Sequence, residues 1–297
     1  MCCPPKRSMV NQMNKRRKGN IALFLLLLIG LAILLYPPVS MKWNTYRQNQ
    51  LISAYENEVK DSATQEQNEE MIQAAQNYSK TLFMPTVPDA FAIRSGVTDA
   101  VYEGLLNVSG NGMMGHIVIP SIKVDLPLFH YTTPEVLEKG AGHLLGSALP
   151  VGGSSTHSVV SAHRGLPTAV MFTNLDKLEK GDHFYYHVLG QVFAYEVDQI
   201  KTVKPSELES LKAEVGEDLS TLVTCTPYGV NSHRLLVRGH RIPYSETAEK
   251  EETKHSHSGV DYKRIFLCVL LGLAVSGLIL LFFLKLLPAM KKSRKNH

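Results

Sequence analysis

A single cysteine in the middle of the chain stands where a reactive thiol would be expected. Cys225 ends the strand-like run at 220–225 (STLVTC), and the sequence TPYGVNS follows it at 226–232. Proline, glycine and asparagine are turn residues, so this pattern places Cys225 at the end of a strand, where its thiol can face a cleft. A thiol becomes a strong nucleophile as a thiolate, and this usually requires a neighbouring base or cation.

A histidine and an arginine occupy positions that suit this requirement. His163 follows the strand-like run at 158–161, and a Gly/Pro turn comes after it at 165–167. Arg234 opens another strand-like run nine residues after Cys225, so a hairpin would bring it back beside the thiol. Each residue also has an ordinary explanation, namely a buried inert cysteine, a structural histidine and a surface ion pair. Sequence position alone does not establish that the three side chains converge.

Two long apolar runs near the ends of the chain predict membrane helices. The first, at 21–36, follows the basic residues at 15–18. The second, at 265–284, is uncharged and is followed by a basic cluster at 291–295. At about 1.5 Å per residue, each run with its uncharged neighbours comes close to spanning a hydrocarbon core of about 30 Å. A cleaved signal peptide is the alternative for the first run, but residues 37–43 offer no clean cleavage site.

The charge pattern predicts the orientation of these helices. Basic residues flank the outer ends of both runs, so both termini are expected in the cytoplasm and the domain between them on the extracellular face of the cell membrane. Cys2 and Cys3 would then be cytoplasmic and Cys268 would lie in the membrane, which leaves Cys225 without an intradomain disulfide partner. The formal net charge is only +4, and the basic clusters adjoin the apolar runs, so nucleic-acid binding is not indicated.

The sequence between the two runs predicts a helical region followed by a mostly β domain. Apolar residues recur at helical spacing at 43–83, which predicts one or two amphipathic helices, and residues 84–100 carry the prolines and glycine of a loop. From Tyr102 onwards, short β-branched segments alternate with turn residues, as expected for a closed or nearly closed β structure. Short helices are expected near 133–139, 172–178 and 205–215.

These features divide the chain into consecutive segments. They are a basic cytoplasmic tail (1–20), a transmembrane signal anchor (21–39), a helical segment with a loop (40–101), a compact β domain (102–243), a polar linker (244–264), a second transmembrane helix (265–287) and a basic cytoplasmic tail (288–297). His183 and His187 lie in a strand-like sequence, on one face but too far apart to favour metal chelation. This histidine pair is therefore expected to be structural.

The sequence around Cys225 closely resembles the signature of the class C sortases of Gram-positive bacteria. Residues 221–237 (TLVTCTPYGVNSHRLLV) are similar to the family pattern, TLxTC followed by a proline-containing loop and an arginine. Residues 161–165 (SAHRG) resemble the histidine motif of the family, and the segments at 142–143 and 149–153 (LPVGG) are similar to further family segments.

The resemblance covers about residues 102–243 and implies both a fold and a reaction. The implied fold is mostly β, a closed barrel of about eight strands with short helices, an N-terminal helical segment and two flanking transmembrane helices. In the implied reaction, Cys225 attacks the Thr–Gly bond of an LPxTG-like sorting signal. His163 protonates the leaving amine and later deprotonates the incoming one, and Arg234 binds the substrate backbone or stabilises the tetrahedral oxyanion. This chemistry needs no cofactor and no metal ion, and although some sortases bind calcium, the sequence contains no dense acidic loop that would indicate a calcium site.

Three features favour a pilus-assembling enzyme. The second membrane helix and the loop after Cys225 are similar to those of class C sortases. These enzymes often carry Asp-Pro-aromatic in a lid loop before the barrel, and Asp89-Ala90-Phe91 stands at that place. By this resemblance, Asp89 pairs with Arg234 and Phe91 covers Cys225. The middle proline is absent here, and an ordinary proline-rich linker is the alternative.

The expected function is the transfer of a sorting-signal threonine to a lysine amine of the next pilin subunit, which polymerises pili. The expected partners are pilin subunits with LPxTG-like sorting signals and an acceptor lysine, together with the cell membrane. A close alternative is a sortase that anchors surface proteins to peptidoglycan. The others are a thiol peptidase that releases its acyl group to water and a non-catalytic, membrane-tethered binding barrel, for which Cys225→Ala would leave the function intact.

Overall fold

Long helices form the N-terminal part of the chain and short strands form the part that follows. The computed structural model describes residues 6–62, 64–82, 89–91, 99–207, 209–255 and 277. The expected second membrane helix falls almost wholly outside these residues, and so does the expected C-terminal tail.

The first helix, α1, spans Lys6–Ser62 and continues through Pro37 and Pro38. The transmembrane segment predicted at 21–39 lies within α1, and the helix continues beyond the two prolines although their nitrogens have no hydrogen to donate. Over Phe24–Asp61, α1 is long and apolar enough to cross a membrane, judged by length and composition. The large apolar side chains that α1 exposes lie between Phe24 and Tyr46, as expected for a surface that faces lipid.

The amphipathic helices predicted for 43–83 are confirmed. The second half of α1 buries Ile52, Tyr55 and Val59 at helical spacing, and α2 (Gln65–Thr81) begins at a capping box formed by Thr64 and Gln67. The Tyr55 hydroxyl donates a hydrogen bond to the carbonyl oxygen of Met114 at 2.8 Å and accepts one from the amide of Leu189 at 3.0 Å. These contacts attach α1 to the β domain.

Eight strands form a closed barrel, which confirms the predicted mostly β fold. Their bounds are β1 (Met113–Ile119), β2 (Val124–His130), β3 (Ala141–His143), β4 (Thr156–Ser161), β5 (His183–Val188), β6 (Gln191–Val203), β7 (Asp218–Thr226) and β8 (His233–Ile242). Neighbours around the barrel follow the order β1-β2-β3-β4-β7-β8-β6-β5. The short helices are α3 (Ala100–Gly104), α4 (Pro134–Leu137) and three 3₁₀ turns at Pro120–Ile122, Leu175–Lys177 and Glu209–Leu211.

The seam between β1 and β5 is short and depends on a glycine. It pairs three residues of β1, from His116 to Val118, with three residues of β5, from Tyr185 to His187. A Cβ atom on Gly115, just before these pairs, would lie 2.2 Å from the carbonyl oxygen of His187. A residue without a side chain is therefore required where the two backbones approach each other.

Three adjacent strands carry the candidate site. β4 runs parallel to β7, with Ser161 opposite Val223, and β7 runs antiparallel to β8. Alternate residues face opposite sides, so Leu222 belongs to the main core whereas Val223 belongs to a smaller apolar cluster on the other face. The other buried members of this smaller cluster are Ala90, Leu144, Val159, Leu211 and Leu236.

The polar segment that follows the barrel was expected to be a linker, and the structure corrects this for its first half. Helix α5 spans Glu246–His255, and two of its glutamates form hydrogen bonds with histidines of β5. Glu249 bonds to His187 at 2.8 Å, and Glu252 bonds to His183. The sequence shows no apolar periodicity here because charged side chains attach this helix to the barrel. The two histidines predicted to be structural thus each have a glutamate partner.

Candidate active site

Cys225 and Arg234 face each other across the β7–β8 hairpin. Cys225 is the second-last residue of β7 and pairs directly with Arg234, the second residue of β8. Side chains directly opposite in an antiparallel pair project to the same face, and this is the face of the small apolar cluster that contains Val223. Both residues are buried. The hairpin inferred from the nine-residue spacing is therefore present.

His163 reaches the same rim of the barrel from the neighbouring strand. It lies two residues beyond the end of β4, and the parallel alignment with β7 continues into this segment. The amide of Ala162 donates to the carbonyl of Val223 at 3.3 Å, and the Thr224 hydroxyl donates to the carbonyl of Ala162 at 2.8 Å. Because these two hydrogen bonds extend the β4–β7 register, His163 lies at the level of Cys225.

The local environment favours the neutral forms of the thiol and the imidazole. Burial raises the pKa of the Cys225 thiol, the Arg234 charge lowers it and Asp89 raises it, and the net shift is upward. Burial lowers the pKa of His163 more than the charge of Glu138 raises it. Within the part of the chain that the structure describes, no hydrogen bond joins the two side chains. In this state, the thiolate is a minor species.

Asp89 forms a bidentate ion pair with the guanidinium of Arg234. Its two carboxylate oxygens accept hydrogen bonds from Nε at 2.8 Å and from Nη2 at 2.6 Å. The remaining nitrogen, Nη1, donates to the carbonyls of Asn231 and His233, both at 3.1 Å. The Asp89 hydrogen bond is the main reason why the pKa of Arg234 lies above its ordinary value. All three guanidinium nitrogens therefore have partners within the chain.

Phe91 lies between His163 and Arg234. The centroid of its ring is 5.8 Å from that of the His163 ring and 5.1 Å from Cζ of Arg234. The intervening residue, Ala90, is buried in the small apolar cluster on the face of β4, β7 and β8. The three residues from Asp89 to Phe91 therefore contact the histidine, the arginine and the apolar surface beside the cysteine.

Arg164 connects the two strand ends, and the sequence analysis did not assign it a role. Its Nη1 donates to the hydroxyl of Thr226 at 3.0 Å, and its Nη2 forms an ion pair with Asp176 at 2.6 Å. Thr226 directly follows the cysteine, just as Arg164 directly follows the histidine. The adjacency of Arg164 to His163 in the SAHRG motif was the one sequence signal for this link.

Potential metal-ligating side chains were compared across the described residues. Among residues 6–255, leaving out the gaps given above, no group of three or more His, Cys, Asp or Glu side chains is arranged to hold one. The pair formed by His183 and His187 bonds to the glutamates of α5 instead.

Comparison with known proteins finds similarity to sortases. Residues 117–242 match the family model described as the Sortase domain. Sortase C of Streptococcus pneumoniae is 43% identical with a TM-score of 0.62, and the match covers 66% of this chain and 98% of that one. Sortase C-1 of Actinomyces oris is 47% identical with a TM-score of 0.57, over 60% of this chain and 99% of that one.

A more distant similarity extends to other branches of the same family. Sortase A of Streptococcus agalactiae serotype III is 25% identical over 205 residues, which cover 68% of this chain and 76% of that protein. The sortase C structures match at higher identity, 43% and 47%, and the residues that match the family model, 117–242, include His163, Cys225 and Arg234. The chain therefore belongs to the sortase family of transpeptidases and, within it, to the class C sortases.

Proposed function

We propose that Cys225, His163 and Arg234 catalyse transpeptidation of an LPxTG-like sorting signal, with transfer of the signal to a pilin lysine. The observation that carries this assignment is the arrangement at one rim of the barrel. Cys225 pairs directly with Arg234, and the extended β4–β7 register brings His163 to the level of the thiol. A nucleophile, an acid–base group and a fixed cation are the components that acyl transfer requires.

In the first half-reaction, His163 accepts the proton of the Cys225 thiol, and the resulting thiolate attacks the threonine carbonyl carbon of the signal. The Arg234 guanidinium stabilises the negative charge that develops on the carbonyl oxygen, a contribution on the order of 3 kcal/mol for a well-placed donor. The C–N bond to glycine then breaks, and His163 donates a proton to the leaving amine. The products of this step are a thioester on Cys225 and a released glycine-containing peptide.

In the second half-reaction, a lysine amine of the next pilin subunit attacks the thioester carbonyl. His163 accepts the proton of this amine, the C–S bond breaks and the Cys225 thiolate is regenerated. The new bond is an amide between the threonine carboxyl carbon and the lysine nitrogen. Partial burial lowers the pKa of His163, which favours the neutral imidazole that can accept this proton.

Pilin as substrate is supported by the similarity to sortase C enzymes. The crystal structure of the pneumococcal enzyme gives insight into the pilin substrate specificity of that protein. We extend this substrate class to the present chain because the two are 43% identical over 98% of the pneumococcal chain. Attachment of surface proteins to peptidoglycan is the outcome that the experiment below distinguishes from pilin polymerisation.

We further propose that residues Asp89 and Phe91 act as a lid. The two hydrogen bonds from Arg234 to Asp89 occupy the guanidinium that the substrate oxygen requires. Phe91 contacts both His163 and Arg234. While these contacts persist, the ring blocks the approach of a sorting signal to Cys225. Substrate must therefore displace the lid before the thiol is acylated.

The proposed location is the extracellular face of the membrane, with both chain termini in the cytoplasm. The apolar surface of α1 supports one span. The sequence of residues 265–284 and the basic residues beyond both apolar runs support the second span and the orientation. In this arrangement, the barrel meets sorting signals after secretion, where pilin subunits assemble.

The experiment is intact-mass analysis of the full-length protein in detergent after incubation with an LPxTG-type peptide. We expect an added acyl mass on the wild type that is larger in the Phe91→Ala variant, because loss of the ring exposes the thiol. Cys225→Ala should carry no adduct. Absence of an adduct from both thiol-containing proteins, with Cys225 still accessible to iodoacetamide, would contradict the proposal for this signal class.

The acceptor is then identified by adding two amines in parallel. One is a pilin domain with its lysines intact, and the other is a peptidoglycan stem peptide with a free amine. Discharge of the thioester onto the pilin, abolished when its acceptor lysine is replaced by arginine, supports polymerisation. Faster discharge onto the stem peptide would assign the enzyme to cell-wall anchoring instead.

A further inference from the structure

Two polar side chains of α1 contact the loop that begins at His163. Asn44 Nδ2 donates a hydrogen bond to the carbonyl oxygen of Thr168 at 2.9 Å. One helical turn later, Gln48 Nε2 donates to the carbonyl of Lys139 at 3.1 Å and lies 3.6 Å from the Sδ atom of Met171. Residues four apart lie on the same face of a helix, so one face of α1 contacts the middle and the end of this loop.

A backbone hydrogen bond joins the two ends of the loop, so contacts at its far end also restrain His163. The amide of Phe172 donates to the carbonyl of His163 at 3.0 Å, so the two ends of the loop meet. Met171, which contacts Gln48, is fully buried and has a left-handed backbone with φ of 42°. A non-glycine residue keeps such a conformation only where its surroundings hold it.

Gln48 is buried, although most polar residues of this part of α1 are exposed. A buried amide that loses its hydrogen-bond partner costs free energy, on the order of 1–3 kcal/mol. The position of the Lys139 carbonyl, between α4 and β3, is therefore tied to the position of the helix. The two side chains thus fix α1, the histidine loop and the start of β3 relative to one another.

We propose that Asn44 and Gln48 are positioning residues that hold the histidine loop so that His163 lies at the correct distance from Cys225. This inference rests on the catalytic role proposed for His163. Both residues lie on α1, the helix that also contains the candidate membrane span. The helix that carries the candidate membrane span thereby becomes a component of the catalytic apparatus.

The expected effect follows from the sensitivity of group transfer to geometry. A displacement of about 1 Å at a catalytic group can lower a rate by about 100-fold. Loss of two loop contacts, with the strand end still anchored through Ala162 and Thr224, should cause a smaller displacement. We expect the acylation kcat of the Asn44→Ala/Gln48→Ala double variant to fall about tenfold, with the KM for the signal peptide unchanged because neither residue contacts the Cys225–Arg234 pair.

The test uses the full-length protein in detergent and two matched controls. Asn49→Ala and Gln50→Ala remove the same chemical groups from exposed positions of the same helix and should keep the wild-type kcat. A second measurement, independent of activity, is the pH dependence of His163 modification by diethyl pyrocarbonate, followed by peptide mass spectrometry. Because burial lowers the pKa of His163, release of the loop should move the midpoint upward in the double variant.

The Gln48→Met variant separates positioning from packing. Methionine fills a similar volume but cannot donate to Lys139, so we expect a reduced kcat with a melting temperature near that of wild type. Wild-type kcat in Gln48→Met, or a double variant that matches its controls in both kcat and midpoint, would overturn the proposal. If the wild type forms no thioester, the catalytic proposal fails, whereas the modification midpoint still shows whether α1 holds the loop.

Discussion

Asp89 accepts two parallel hydrogen bonds from Arg234, at 2.8 and 2.6 Å, although the two residues are 145 positions apart in the sequence. Both side chains are largely buried, with 15% and 10% of their surfaces exposed. A carboxylate matches the planar fork of a guanidinium better than a substrate carbonyl does. Asp89 is therefore an internal competitor for the group proposed to stabilise the tetrahedral oxyanion.

The Asp89→Asn variant should increase the reactivity of the cysteine. Asp89 raises the pKa of the Cys225 thiol, and Arg234 lowers it. Removal of the carboxylate charge leaves the favourable charge of Arg234 unopposed, so the thiol pKa should fall and the thiolate fraction at pH 7 should rise. We expect the midpoint of iodoacetamide alkylation against pH to move downward and the rate at pH 7 to increase about tenfold.

A control for this substitution is Asp61→Asn, which removes a carboxylate from an exposed position near the end of α1. Its alkylation profile should coincide with that of the wild type. An Asp89→Asn midpoint that stays in place or rises would show that Asp89 does not suppress the thiolate.

The Arg234→Lys variant should lose most of its acylation activity. A lysine keeps the charge but cannot donate from three nitrogens in one plane, so a decrease of about 100-fold in the acylation rate is expected. The matched control is Arg238→Lys on the same strand, where the guanidinium bonds to Asp198 and Glu214 away from the site. Single-turnover mass spectrometry of both variants makes the comparison, and equal rates would remove the assigned role of Arg234.

The Gly115→Ala variant should destabilise the barrel. The new Cβ would lie 2.2 Å from the His187 carbonyl oxygen and 3.0 Å from a methyl group of Val188, so the β1–β5 seam must open to admit it. We expect a loss of about 2–4 kcal/mol in unfolding free energy. Gly104→Ala, where no atom lies within 4 Å of the added carbon, is the control, and a similar stability of the two variants would refute the expectation.

The attachment of α5 should weaken in acid. Burial raises the pKa of Glu249, but the hydrogen bonds from His187 and Tyr244 lower it, and the net shift is downward. A glutamate with a lowered folded-state pKa contributes stability above its ordinary pKa of about 4.3 and loses it as the pH falls through the folded-state value. Amide exchange over residues 246–255, corrected for intrinsic rates, should therefore increase below about pH 4.

Glu249→Gln removes the carboxylate that titrates. The amides of α5 should therefore exchange faster already at neutral pH, and their exchange rate should change little as the pH falls. Glu251→Gln changes an exposed residue of the same helix and should exchange like the wild type. The expectation fails if α5 exchanges equally in both variants across the pH range.

Local sequence was sufficient to predict that Cys225 and Arg234 lie side by side, because a hairpin turn pairs residues that are close in the chain. The position of His163 depends on topology. β4 and β7 are neighbours in the barrel although β5 and β6 lie between them in the sequence, and a single sequence contains no local signal for a parallel pair of this kind. The family resemblance, rather than periodicity, was what linked His163 to Cys225 in advance.

Polar contacts over long sequence separations were the main features that sequence analysis missed. Gln48 resembles any solvated residue of an amphipathic helix, and its burial follows only from the fold. The glutamates of α5 likewise indicated a solvated linker, because the hydrogen bond between Glu249 and His187 joins residues 62 positions apart in the sequence. Apolar periodicity predicts which face of a helix is buried, but it does not identify which polar residues find partners there.

The Tyr55 hydroxyl has a consequence for how the state of the N-terminal helix can be observed. It occupies a gap beside the β1–β5 ladder, accepting from the amide of Leu189 and donating to the carbonyl of Met114. The Leu189 amide lies in the turn just after β5, and an amide whose only partner is a side chain of another element exchanges with solvent whenever that side chain leaves. Leu189 is thus a built-in reporter, since a spectroscopist who follows this one amide observes the undocking of the helix from the enzyme without any added label.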